Sequence, residues 1–152
     1  MLVYLAGSTW NEADRQINAD VAYAIEQAGF GAYLPERDGP NRFTSPWNAI
    51  PLDEYERASF ETDREKIIAA DVFVLLMGAK TLDEALCMKL GMAAMQKHVQ
   101  QPGKYLVGVL TAPAVGYRAD VPPIARVTLD QIVETPESLV AYLGRFARQM
   151  GG

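Results

Sequence analysis

Cysteine and histidine are nearly absent: the 152 residues hold one of each, Cys87 and His98. A lone cysteine closes no internal disulfide, and neither residue has a partner at ligand spacing, so a disulfide scaffold and a zinc site are excluded. No metal and no cofactor is implied. Positive charge is also in deficit, with 14 Lys and Arg against 19 Asp and Glu, a net charge of −5 and a pI near 4.9. A general nucleic-acid binder needs clustered cations that displace counterions from phosphates, and this composition does not supply them. Long apolar runs are missing too. Nothing approaches the ~18 residues of a membrane span, and the short run at 1–7 lacks the basic leader of a signal peptide. The expectation is a soluble, cytoplasmic chain with Cys87, between Leu86 and Met88, packed in a core as a small hydrophobe.

What is present is a core-forming composition, 49% hydrophobic, with an alternating pattern. The apolar run at 2–6 reads as a buried strand, and the spacing of Ile17, Val21, Ala24, Ile25 and Ala28 predicts a helix over 12–28, started by Ser8 or Asn11 and closed by Gly29. A second strand follows at 31–34. Residues 36–51, with Gly39, Pro40, Asn41, Pro46 and Pro51, read as a long loop of the kind that forms mobile lids. A helix over 52–70 turns Phe60, Ile67 and Ile68 inward, and the unbroken run at 72–77 has the character of a strand buried on both faces. Further elements are a helix over 82–96, a strand over 105–110, a short strand near 125–127 and a helix over 136–150 with Pro136 in its first turn. The alternation predicts one α/β domain over 1–152: an open, mostly parallel sheet with helices on both faces, flavodoxin-like or Rossmann-like.

Such sheets bind ligands beyond the carboxyl ends of their strands. The residues standing there are Gly7, Ser8, Thr9 and Trp10, then Glu36, Arg37 and Asp38, then Thr81, Asp83 and Glu84. No GxGxxG and no GxxxxGK[ST] occurs, which removes the main support for a dinucleotide or P-loop site. Ser8 has no histidine within a triad's reach. An acidic pocket with an aromatic suits a flat, neutral, hydrogen-bonding ligand such as a sugar joined to a base, whose hydroxyls or leaving group carboxylates can serve. The plainer alternative is that Asp83 and Glu84 only cap the following helix. Trp10 and Trp47 either stack on such a ligand or pack, and the Met88, Met92 and Met95 stripe belongs to a core or a subunit interface.

In order and spacing, Val3-Tyr4-Leu5-Ala6-Gly7-Ser8, Tyr33-Leu34-Pro35, Asp63, Ala70-Asp71-Val72-Phe73-Val74, Thr81-Leu82-Asp83-Glu84 and Leu90-Gly91-Met92-Ala93 resemble the nucleoside 2-deoxyribosyltransferase family. The resemblance covers roughly residues 2–110. It implies a small-molecule nucleoside or nucleotide as ligand, transfer of a 2-deoxyribosyl group through a covalent glycosyl-enzyme, or hydrolysis of a nucleotide N-glycosidic bond, in a homo-oligomer. It also implies roles: Tyr4 orients the nucleophile, Asp63 contacts sugar or base, and Asp83 protonates the base; Gly7, Ser8 and Trp10 are expected at the ligand from their place at the first strand end. The family's nucleophilic Glu, however, falls at Lys89, and its preceding Gly-Thr pair at Ala85-Leu86. An ammonium cannot act as the carboxylate nucleophile. Glu84 is the nearest substitute, yet five helical residues separate it by ~7.5 Å of rise and ~140° of rotation. Lys89 is then either a surface lysine, a partner of Asp63 or Asp83, or a receiver of phosphate. Two readings stand: an N-glycosyl transferase or N-glycosidase, and a catalytically inactive nucleotide-binding or regulatory member.

Overall fold

The computed structural model describes residues 1–78, 82–111 and 121–151. In chain order the elements are β1 (Leu2–Ala6), α1 (Glu12–Gln27), β2 (Gly31–Tyr33), α2 (Pro35–Asp38), α3 (Leu52–Ala69), β3 (Val72–Met77), α4 (Glu84–Val99), β4 (Tyr105–Leu110), α5 (Pro123–Thr128), β5 (Gln131–Val133) and α6 (Pro136–Met150). The five strands form one sheet in the order β2-β1-β3-β4-β5, and every neighbouring pair is parallel. This is the flavodoxin-like order, and the chain reverses direction across the sheet between β1 and β3.

Period-two alternation sorts the core into two layers. Val72, Val74 and Leu76 of β3 join Val3 and Leu5 of β1 against α1 and α6, through Val21, Ile25, Leu139 and Leu143. Phe73, Leu75 and Met77 join Tyr4 and Ala6 against α3, α4 and α5, through Ile67, Leu90 and Ala125. All six residues of β3 are buried, as a central parallel strand requires. Helix α1 starts at Asn11, whose side chain accepts from Asp14 N at 2.8 Å, and Gly29 takes a φ of +84° that other residues avoid.

Several expectations are corrected. Residues 125–127 are helical, not strand: Pro122-Pro123 starts a helical turn there, and the edge strand forms later, at Gln131–Val133, beside Val107–Val109. The stretch expected to be all loop contains α2 and a 3₁₀ turn at Trp47–Ala49. Arg42 braces it by donating to the Trp47 and Ile50 carbonyls. Phe60 and Ile68 are exposed, because Ile67 alone of that trio points to the sheet. Cys87, Met88 and Met95 lie on the outer face of α4, opposite Leu86, Leu90 and Ala93, so Cys87 is not core. No helix among the described residues is long and apolar enough to cross a membrane.

Lys104, 2% exposed, enters the core ahead of β4 and donates to Ile67 O at 2.7 Å and to Ala70 O, closing the C-terminal end of α3. Burial pulls its pKa from 10.5 down to about 8, against the pull of the Asp71 carboxylate. Between those two values the unfolded chain binds the extra proton, so the lysine's contribution to stability rises with pH across this window and is lost as pH falls through about 8. Lys104→Met leaves two buried carbonyls without their donor and is expected to cost about 1–3 kcal/mol. In thermal melts the gap between wild type and variant should widen from pH 8 to pH 10. A gap that narrows would mean that the ammonium, and not the amine, is the stabilising form.

Candidate functional site

Parallel register places Tyr4 directly beside Tyr33 on one side and Phe73 on the other. The three rings stack in a row, with centroids 5.6 and 5.7 Å apart, and form the floor beneath the carboxyl ends of the strands. Tyr4 is fully buried, so its hydroxyl needs an acceptor within the protein. It donates to Asp63 Oδ1 of α3 at 2.7 Å. The other Asp63 oxygen, Oδ2, lies 3.0 Å from the Lys89 ammonium, which also stands 5.9 Å from the Tyr4 ring centroid. Burial, reinforced by the Asp63 charge and hydrogen bond, raises the Tyr4 pKa far above that of an ordinary phenol. Tyr33 is pushed up to about 12, first by burial and then by Asp63 and Asp38. Both phenols are therefore neutral at physiological pH, and Tyr4 is a donor to Asp63, not a general base.

The wall above β1 and β2 is set from behind by Asn18 of α1, which is 2% exposed. Its Nδ2 donates to Ser8 O at 2.9 Å and to Glu36 Oε1 at 2.7 Å. Gly7 passes so close that a Cβ there would lie 2.3 Å from Asn18 Oδ1. Ser8 Oγ turns away and donates to Asp14. On the third side Asp83 caps α4, accepting from Leu86 N at 2.8 Å through Oδ1 and from Trp10 Nε1 at 3.1 Å through Oδ2. Each Asp83 oxygen thus already receives one N–H, and the Trp10 side chain that supplies the second is 71% exposed.

These groups enclose a cavity of about 230 Å³ at the turn of the strand order. Gly7 and Thr9 come from the end of β1, Pro35, Glu36, Gly39 and Pro40 from the end of β2, Tyr55, Ser59 and Asp63 from α3, and Asp83, Ala85, Leu86 and Lys89 from α4. Of the residues singled out by sequence, Gly7, Thr9, Glu36, Asp63, Asp83, Ala85, Leu86 and Lys89 line it. Tyr4 supports it from below, while Ser8 and Trp10 sit at its edge. Glu84 is exposed in the first turn of α4 and does not line the cavity; Thr81 lies outside the described residues. Lys89 takes the pairing with Asp63, one of the three arrangements left open by sequence. Sequence reasoning missed Tyr55 and Ser59, although Tyr55, Ser59 and Asp63 recur at i, i+4 and i+8 and so share one helical stripe. Among the described residues Ser59 Oγ and Tyr33 Oη are buried without a hydrogen-bond partner. No cluster of His, Cys, Asp and Glu among the described residues is arranged to hold a metal ion.

The family model for nucleoside 2-deoxyribosyltransferase matches residues 3–123. No curated protein sequence matches the chain. Among solved structures, a 2-deoxyribosyltransferase from the psychrotolerant bacterium Bacillus psychrosaccharolyticus is similar with a TM-score of 0.71 and 16% identity, over 92% of this chain and 90% of that one. A conserved protein from Enterococcus faecalis gives 0.73 and 17%, over 95% and 98%. A CMP N-glycosidase from Clostridium botulinum gives 0.55 and 16%, over 96% and 99%. At these identities the likeness is one of fold.

The contact between Gly7 and Asn18 generates a direct test. Gly7→Ala forces the buried amide out of its place, an overpacking of about 1–3 kcal/mol. Thermal unfolding should show a Tm lower by roughly 2–10 °C. An unchanged Tm would mean that Asn18 does not hold this wall.

Proposed function

The chain belongs to the nucleoside 2-deoxyribosyltransferase family, and on that premise we propose that its cavity binds a nucleoside or nucleotide without forming the covalent glycosyl-enzyme of the transfer reaction. The observation that carries this reading is the Lys89 ammonium in the cavity wall, 3.0 Å from Asp63. A protonated amine has no lone pair to offer an anomeric carbon, and its charge opposes the positive charge that develops there. The pair also occupies one oxygen of Asp63, and Tyr4 occupies the other. Asp83 has both oxygens bound to N–H groups, which supports a ligand-holding more than a proton-donating role.

The resemblance gives the ligand its class, and the cavity is compatible with it: an apolar edge from Pro35, Pro40 and Leu86, an aromatic at Tyr55, and polar groups converging from three sides. The wider reading is a single domain over 1–152 acting in the cytoplasm. The exposed Met88, Met95 and Val99 along α4 support a homo-oligomer.

Titration calorimetry with nucleosides and nucleotides, run beside a base-exchange assay, tests this. Wild type should bind and not exchange. Lys89→Glu should gain exchange on the order of 10-fold or more over Lys89→Ala, limited by Ala85 and Leu86 because ~1 Å of misplacement can cost ~100-fold. Wild-type exchange that survives Lys89→Ala and vanishes in Glu84→Ala would overturn the reading and make Glu84 the nucleophile. Release of free base without an acceptor would replace it with an N-glycosidase.

A further inference from the structure

We propose that Glu36, held in place by Asn18, sets the charge of the ligand: it accepts a hydrogen bond from an uncharged, hydroxyl-bearing ligand and turns away the phosphorylated form. The inference rests on the nucleoside-or-nucleotide reading above and decides between its two halves.

Among the described residues the cavity wall carries three carboxylates, Glu36, Asp63 and Asp83, against one ammonium, Lys89. That ammonium is already committed to Asp63. Among the described residues, several cations outside the cavity wall are committed elsewhere. Arg15 donates to Thr9 O, Arg37 pairs with Glu26 and Asp38, and Arg42 donates to two loop carbonyls. Lys66 stands 5.5 Å from the Tyr33 ring centroid. None of these four lines the cavity. Among the described residues, a phosphate entering it therefore meets two carboxylates, Glu36 and Asp83, that have no cation partner.

Glu36 is distinguished from the other two carboxylates by how it is held. Asp63 and Asp83 each have both oxygens engaged, whereas Glu36 has a single hydrogen bond, from Asn18 to Oε1. Oε2 keeps its capacity to accept. Its field reaches the floor of the cavity, since it adds to the forces that keep Tyr4 protonated. Asn18 is a positioning residue here: buried, locked against Gly7, and tied to Ser8 O through the same nitrogen that holds Glu36. A carboxylate anchored on one oxygen and available on the other is suited to a sugar hydroxyl, and a like charge brought against it is rejected.

The test compares a 2′-deoxynucleoside, deoxycytidine, with its 5′-monophosphate by titration calorimetry at low and at physiological salt. Wild type is expected to bind the nucleoside on the order of 10- to 100-fold more tightly than the monophosphate, with the gap shrinking as salt screens the charges. Glu36→Gln keeps an acceptor for Asn18 and the shape of the side chain while removing the charge. It should close most of the gap, chiefly by strengthening the monophosphate, with an unchanged Tm. Asn18→Ala should weaken nucleoside binding without removing the preference against phosphate. A wild type that prefers the monophosphate, or a gap that Glu36→Gln leaves intact, overturns the inference while the binding reading stands. Failure of both ligands to bind the folded wild-type protein overturns the binding reading, and this inference with it.

Discussion

Asp63 is the point on which the site depends. An unpaired hydroxyl at the fully buried Tyr4 would be costly, and the acceptor that reaches it comes from α3. Once that carboxylate is drawn down to the strand, its second oxygen needs a partner as well, and Lys89 of α4 supplies it. A strand and two helices are thus joined through one side chain, each link following from the need to satisfy a polar atom away from water. The separation of α3 from α4 above β1, and with it the width of the cavity, follows from this junction.

The same junction accommodates the charge of Lys89. An isolated ammonium in a half-buried wall would be costly. Here it lies against a carboxylate and near the face of the Tyr4 ring, and both favour a cation. Among the described residues, Glu36 and Asp83 have no cation partner, and the Ser59 and Tyr33 hydroxyls have no hydrogen-bond partner.

Much of the fold was legible because it is written in periods. Strands at 2–6, 72–77 and 105–110 stand out as unbroken apolar runs, and the alternation of elements forces right-handed crossovers and a parallel sheet. What failed was where periods are ambiguous. Ala125-Arg126-Val127 alternates like a strand, yet the prolines before it dictate a helical turn. Phe60 and Ile68 are apolar but stand outside the stripe that Ile67 defines. Cys87 lies between Leu86 and Met88 in sequence, but 100° of helical rotation per residue carries it to solvent. For the site, the strand ends brought Gly7, Thr9, Glu36 and Asp83 into view, and the family resemblance brought Asp63 and Lys89. Neither indicated that Asp63 would bridge Tyr4 and Lys89, because a hydrogen bond across 59 residues leaves no local pattern. The stripe of Tyr55, Ser59 and Asp63 was present but lay on a helix read for its apolar face.

Asn18 lies on α1, which packs on the opposite face of the sheet from α3 and α4, yet its amide fixes both the turn after β1 and the carboxylate after β2. The front of the cavity is therefore mechanically geared to the back of the sheet. Val21, Ala22 and Ile25, which seat α1 against β1, thereby help to set the shape of a cavity that none of them lines.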